Sequence, residues 1–145
     1  MPAPDRPRRD AYTWQTSITT RWMDNDVYGH VNNVTYYSWF DTAANLYLIE
    51  EGGLDIHTAE VIGLVVESRC NYFAPVAYPA RIDVRLRVDK LGQRAVTYGI
   101  AIFERDADLA VAAGHFVHVF VDRATRAPTP IPDPLRQALA RVVVS

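Results

Sequence analysis

The chain has 145 residues, of which 49% are hydrophobic and 22% charged. That size and balance fit one ordinary globular domain and exclude a disordered chain. The formal charge of -2 argues against nucleic acid as a partner, and the one cysteine, Cys70, excludes an internal disulfide or a multi-cysteine zinc site.

Residues 1–11 are rich in Pro, Arg and Asp and read as a disordered tail, followed by a single domain over 12–145. The N-terminus has charge but no apolar run behind it, so it does not read as a secretory signal. No stretch approaches the roughly 18 uninterrupted apolar residues of a membrane span. The expectation is a soluble cytoplasmic protein with no membrane partner.

Trp14 to Trp22 alternates, with Trp14, Thr16 and Ile18 on one face and Gln15, Ser17 and Thr19 on the other, which predicts a strand. The loop Met23–Asn33 follows. From Val34 to about Glu51 there is no Gly or Pro, and Tyr36, Tyr37, Phe40, Ala43, Ala44, Tyr47 and Leu48 recur at helical spacing. Asn32 or Asn33 can cap this helix, and Gly52-Gly53 stops it. Asp41 is its one charge between Val34 and Ile49, so the helix is expected to be enclosed on most sides. Val61–Phe73, Arg81–Asp89, Ala95–Arg105 and Leu109–Val121 read as four further strands. Asp133 and Pro134 open a short C-terminal helix running to Val144. Segregated strands with short connections predict an α+β fold, an antiparallel sheet of about five to six strands wrapped around one long central helix. The outer face of such a sheet needs cover, which predicts a homodimer or homotetramer.

Asp24, Asn25, Asp26, Tyr28, His30, Asn32 and Asn33 fall within ten positions between a strand and a buried helix. A helix N-terminus offers unpaired N–H groups and partial positive charge, which can polarise a carbonyl. A carboxylate just upstream can serve as nucleophile or as general base for water. Gly29 lets the backbone approach a ligand. Caps and turns use the same residue types, and the local pattern does not choose between Asp24 and Asp26.

The stretch Asp24-Asn25-Asp26-Val27-Tyr28-Gly29-His30-Val31-Asn32-Asn33-Val34-Thr35-Tyr36 resembles the signature of the hotdog-fold thioesterases, most closely the acyl-CoA thioesterases of the 4-hydroxybenzoyl-CoA type. The resemblance runs from Trp14 to about Pro132. It includes Tyr72-x-x-Pro75, the Leu91-Gly92 turn and Phe120-Val121-Asp122. It implies hydrolysis of an acyl thioester with no metal and no redox cofactor, coenzyme A being part of the substrate. It implies Asp26 as the catalytic carboxylate, Asp24 as its support, and Gly29 as the residue that comes close to the thioester. His30 matches a catalytic His of the similar acyl-carrier-protein thioesterases and stands as a secondary candidate. Tyr28 departs from that second pattern.

On that basis the acyl group would lie along the helix, with Tyr36, Tyr37 and Phe40 and the strand residues Val65 and Val66 as walls. Tyr28 and Asn33 join them as substrate contacts, and Glu67 as a second acidic group. The anionic phosphates of coenzyme A would need cations, for which Lys90, Arg94 and Arg126 are the candidates. His115 and His118 are three apart on a strand, so they face opposite ways and form no metal pair. Two alternatives keep the fold: an acyl-carrier-protein thioesterase, and a non-catalytic domain that binds an acyl thioester.

Overall fold

The computed structural model describes residues 5–144. The elements in chain order are β1 Trp14–Thr19, α1 Asn33–Glu50, β2 Val61–Tyr72, β3 Arg81–Leu91, β4 Ala95–Glu104, β5 Ala112–Asp122 and α2 Asp133–Ala140. The strands form one five-stranded antiparallel sheet in the order β1-β3-β4-β5-β2.

The inner face of the sheet is set by strand alternation. Ile82, Val84, Leu86 and Val88 of β3 and Val96, Tyr98, Ile100 and Ile102 of β4 are buried against α1. In return α1 buries Tyr36, Trp39, Phe40, Ala43, Ala44, Tyr47 and Leu48 at spacings that keep them on one side. Each large side chain among them contributes about 1.5–3 kcal/mol by leaving water. Asn32 is the N-cap, its Oδ1 accepting from the Val34 N–H at 3.2 Å. The helix has 18 residues, moderate for a central helix. The sheet covers only one side of it, and Val34, Ser38, Asp41 and Thr42 on the other are exposed. The expected enclosure is therefore incomplete within one chain.

Strand β1 ends at Thr19, three residues earlier than the alternation suggests, because Trp22–Asp24 turn into a 3-10 helix. Helix α2 is also shorter than expected. Asp133 is its first residue, Pro132 takes the cap position, and the helix ends at Ala140. Beyond it the chain joins β3, with Val88 N–H donating to Val142 and Val144 N–H to Val88.

The tail expectation is corrected for residues 5–11; residues 1–4 lie outside the described residues. This arm lies on the outer face of the sheet. Arg9–Ala11 form a 3-10 turn, and Tyr12 packs edge-on against Phe103 in a buried cluster with Ala101, Ala110 and Ala113. Arg9 lies over the Phe103 ring and pairs with Asp83 at 2.8 Å. The arginines that read as disorder are held because β3 turns a charged row outward beside the apolar row of β4. The arm covers this part of the face.

Strand β2 is one edge of the sheet and is largely exposed along its length. Its register with β5 shifts between Val65 and Glu67, leaving Val66 in a bulge. Among the described residues no helix is long and apolar enough to cross a membrane.

Candidate active site

The polar loop folds back on itself as a small hairpin. Asn32 N–H donates to the Asp24 carbonyl at 2.8 Å, Asn25 bridges to Val31, and Asp26 N–H donates to the His30 carbonyl at 2.9 Å. Gly29 closes the turn with its N–H on the Asp26 carbonyl at 3.1 Å and a φ of 85°. That left-handed conformation is strained for any residue with a Cβ. Val27 and Tyr28 stand out at the tip, 94% and 85% exposed.

The two aspartates part company here. Asp24 is 2% exposed, and its carboxylate is spent on Arg21. One oxygen accepts from the Arg21 backbone N–H at 2.7 Å, the other from Arg21 Nε and Nη2 at 3.0 and 2.8 Å. It fastens the base of the hairpin. Asp26 is half-buried, with Oδ1 accepting from the Tyr28 N–H at 2.8 Å. Its second oxygen has no protein donor among the described residues.

Asp26 lines an open recess of about 540 Å³ with Trp22, Asn25, Val27 and Gly29. On the other flank of the loop, His30, Asn33, Tyr36, Tyr72 and Pro75 line a second recess of about 340 Å³. The first turn of α1 borders the second recess through Asn33 and Tyr36. Val34 and Thr35 direct their N–H groups at Asn32, whereas the Asn33 N–H meets no acceptor among the described residues. The Tyr72 hydroxyl donates to the Asn33 carbonyl at 3.2 Å and its ring stacks edge-on against Tyr36. Burial pushes the Tyr36 hydroxyl up to about 12, with Cys70 nearby adding to the shift, and pushes the Cys70 thiol up to about 11. Neither ionises near neutrality, so Cys70 is a packing residue. No three His, Cys, Asp or Glu side chains among the described residues gather as a metal site needs.

A protein-family model described as the thioesterase-like superfamily matches residues 20–139. The chain belongs to the thioesterase-like superfamily. It is 58% identical to the PA5185 protein of Pseudomonas aeruginosa strain PAO1, covering 97% of this chain and 99% of that one with a TM-score of 0.96. It also superposes on Slr0204, a 1,4-dihydroxy-2-naphthoyl-CoA thioesterase from Synechocystis, at 18% identity and TM-score 0.78, over 87% and 94% of the two chains. BH1999 gentisyl-coenzyme A thioesterase matches at 22% identity and TM-score 0.77, over 87% and 99%. At such identities the likeness is one of fold. No curated protein matches the chain.

Against this superfamily frame, the structure groups some of the sequence candidates and disperses others. Asp26, Gly29 and Tyr28 share the loop, and His30, Asn33 and Tyr36 share the neighbouring recess. Tyr37 is half-buried, and its ring stacks edge-on with Phe40. Phe40 is fully buried in the core and forms no open wall. Val65 and Val66 are exposed on the edge strand. Glu67 points to the outer face, 3.5 Å from His115 Nε2, and away from α1.

Lys90, Arg94 and Arg126 are not brought to the loop within the chain. Thr20 beside the loop bonds to Ala80 at the start of β3, while Lys90 sits at the far end of that strand, about 30 Å away. Tyr72 lines the recess of His30 and Asn33 and is missing from the sequence candidates. The Tyr72-x-x-Pro75 motif is visible in the chain, but its place beside the start of α1 depends on a contact between residues 39 apart.

Proposed function

We propose that the protein hydrolyses the acyl thioester of coenzyme A to a carboxylic acid and free thiol, with Asp26 as the catalytic carboxylate. The observation that carries this reading is the division of labour between the two aspartates: Asp24 is consumed by Arg21, and Asp26, on an open recess, keeps one oxygen without a protein donor among the described residues. Membership of the superfamily supports the reaction class, and the CoA thioesterases that share the fold support the carrier.

In the reaction, oxygen from water bonds to the carbonyl carbon, the carbon–sulfur bond breaks, and the sulfur leaves as the thiol with one proton. Asp26 serves as nucleophile toward the carbonyl or as the base that takes the proton of water. In this reading the Asn33 N–H, at the positive end of α1, holds the oxygen that gains charge. His30 is a secondary polar contact. No metal or redox group is required by this chemistry, and coenzyme A enters with the substrate.

The working unit in this reading is a homodimer paired edge to edge through β2, whose unpaired backbone and exposed Leu64, Val65, Val66 and Tyr72 leave it open. An antiparallel, two-fold arrangement sets the loop of one copy beside the far end of the other. Lys90, Arg94 and Arg126 would then reach the coenzyme A phosphates from the second copy.

The test is thiol release from CoA thioesters, acetyl to palmitoyl with benzoyl and 4-hydroxybenzoyl, by the wild type and Asp26→Asn. Loss of about 10²–10⁴-fold in kcat with the melting temperature unchanged is expected. Turnover that survives in Asp26→Asn removes Asp26 from the mechanism. A silent wild type moves the substrate to acyl carrier protein or the chain to a binding role.

A further inference from the structure

The outer face of the sheet carries two unlike rows. Strand β3 turns Arg81, Asp83, Arg85, Arg87 and Asp89 outward, a row of mixed charge in which Arg85 and Arg87 stand together. Strand β4 turns out Ala95, Thr97, Gly99, Ala101 and Phe103, small side chains ending in one ring. The arm reads both rows. Its Tyr12 and the Arg9 guanidinium cover Phe103 from two sides. Arg9 pairs with Asp83 and donates to the Ala107 and Glu104 carbonyls at 2.8 and 3.0 Å. Arg87 stacks over the Tyr12 ring at 4.5 Å and donates to the Ala11 carbonyl at 3.1 Å. Further back, Arg9 N–H donates to the Asp108 carbonyl and Ala110 N–H to the Pro7 carbonyl, so the arm adds to the β4–β5 connection.

Lifted off, the arm would uncover Phe103, Ala101, Ala110 and Ala113 as one apolar patch with Phe73 at its border. A patch of this kind marks an association surface. Beside it, the charged row of β3 is partly self-complementary: a two-fold axis at Arg85 sets Asp83 opposite Arg87 and Asp89 opposite Arg81 of a second copy. The Arg87–Asp89 pair lies across Gly99, so the close approach is at Ala101 and Phe103, where the arm now sits.

We propose that residues 5–12 are a built-in cover that occupies a latent self-association face and so limits the number of copies in the assembly. Arg9 and Tyr12 are its anchors. The occupant of the face in the intact protein is the chain's own arm, and the occupant when the arm is released is the same face of a second copy. The proposal is independent of the catalytic reading and of the edge-paired dimer, because it concerns the ratio of two masses.

The experiment compares the full chain with Arg9→Glu/Tyr12→Ser by light scattering across a concentration series. Limited trypsin digestion at Arg8 reports whether the arm backbone has become accessible, and circular dichroism checks the fold. The expected result is a folded variant with a trypsin-sensitive arm and twice the mass of the full chain. Adding Phe103→Ser should return it to the full-chain mass. A released arm with unchanged mass overturns the cover. An arm that stays protected overturns Arg9 and Tyr12 as its anchors. A doubled mass that persists with Phe103→Ser places the new contact elsewhere and also overturns it.

Discussion

At the scale of single residues, burial decides what each polar group can do. His118 is 1% exposed, packed among Phe116, Phe120 and Gly63, with Nδ1 3.0 Å from the Tyr98 hydroxyl. Burial pushes its pKa down to about 4, so it stays neutral in the folded protein. The unfolded chain takes up the proton more readily, near 6.5. Stability that is complete above that value is therefore lost as pH falls toward 4, at up to about 1.4 kcal/mol per pH unit. Urea unfolding at pH 7 and pH 5 should show the wild type losing roughly 2 kcal/mol more than His118→Gln. Equal losses would remove His118 as the cause. The opposite facing of His115 and His118 was readable from strand parity alone. The choice between Asp24 and Asp26 was not, because it turns on a side-chain clamp from Arg21 that leaves no periodic trace in the chain.

At the scale of elements, local pattern carries far and then stops at the ends. Alternation marks β1 and β3, runs bounded by turn residues mark the other strands, and helical spacing marks α1, since all come from neighbouring residues. The early end of β1, the short α2 and the bulge at Val66 come instead from contacts with distant parts of the chain. One glycine shows how tight such a contact can be. A Cβ on Gly114 would land on the Arg69 carbonyl oxygen of the paired strand. Gly114→Ala must push β2 away from β5, and a loss of about 1–3 kcal/mol is expected. Thermal unfolding measures it, with Ala113→Gly on the same strand as a comparison. A Gly114→Ala protein that melts with the wild type would mean the strands can part at no cost.

At the scale of the whole molecule, the arm covers part of one face, and other apolar surface stays open. The composition of the arm suggested disorder because charge was counted without its partners. The partners are 74 residues away for Asp83 and further for Phe103. The edge of β2 and the outer side of α1 remain open, which is what the edge-paired dimer reading uses. Val65→Lys with Val66→Asp should block that pairing by placing charges on an exposed edge. Light scattering is expected to give half the wild-type mass with circular dichroism unchanged. A wild type that already runs as a single 16.3 kDa chain would end the dimer reading.

The loop hairpin also makes the protein its own optical instrument. Of the three tryptophans, Trp39 is buried and Trp14 half-buried, whereas Trp22 is 80% exposed and lines the recess beside Asp26. Its edge contact with Tyr78 holds it at that rim. A dissolved quencher such as acrylamide should dim mainly this one indole, and an acyl thioester seated in the recess should shield it. With Asp26→Asn slowing turnover, the shielded fraction against thioester concentration reads occupancy directly, before any bond is broken. Trp22→Phe should abolish the signal while the emission of the other two remains.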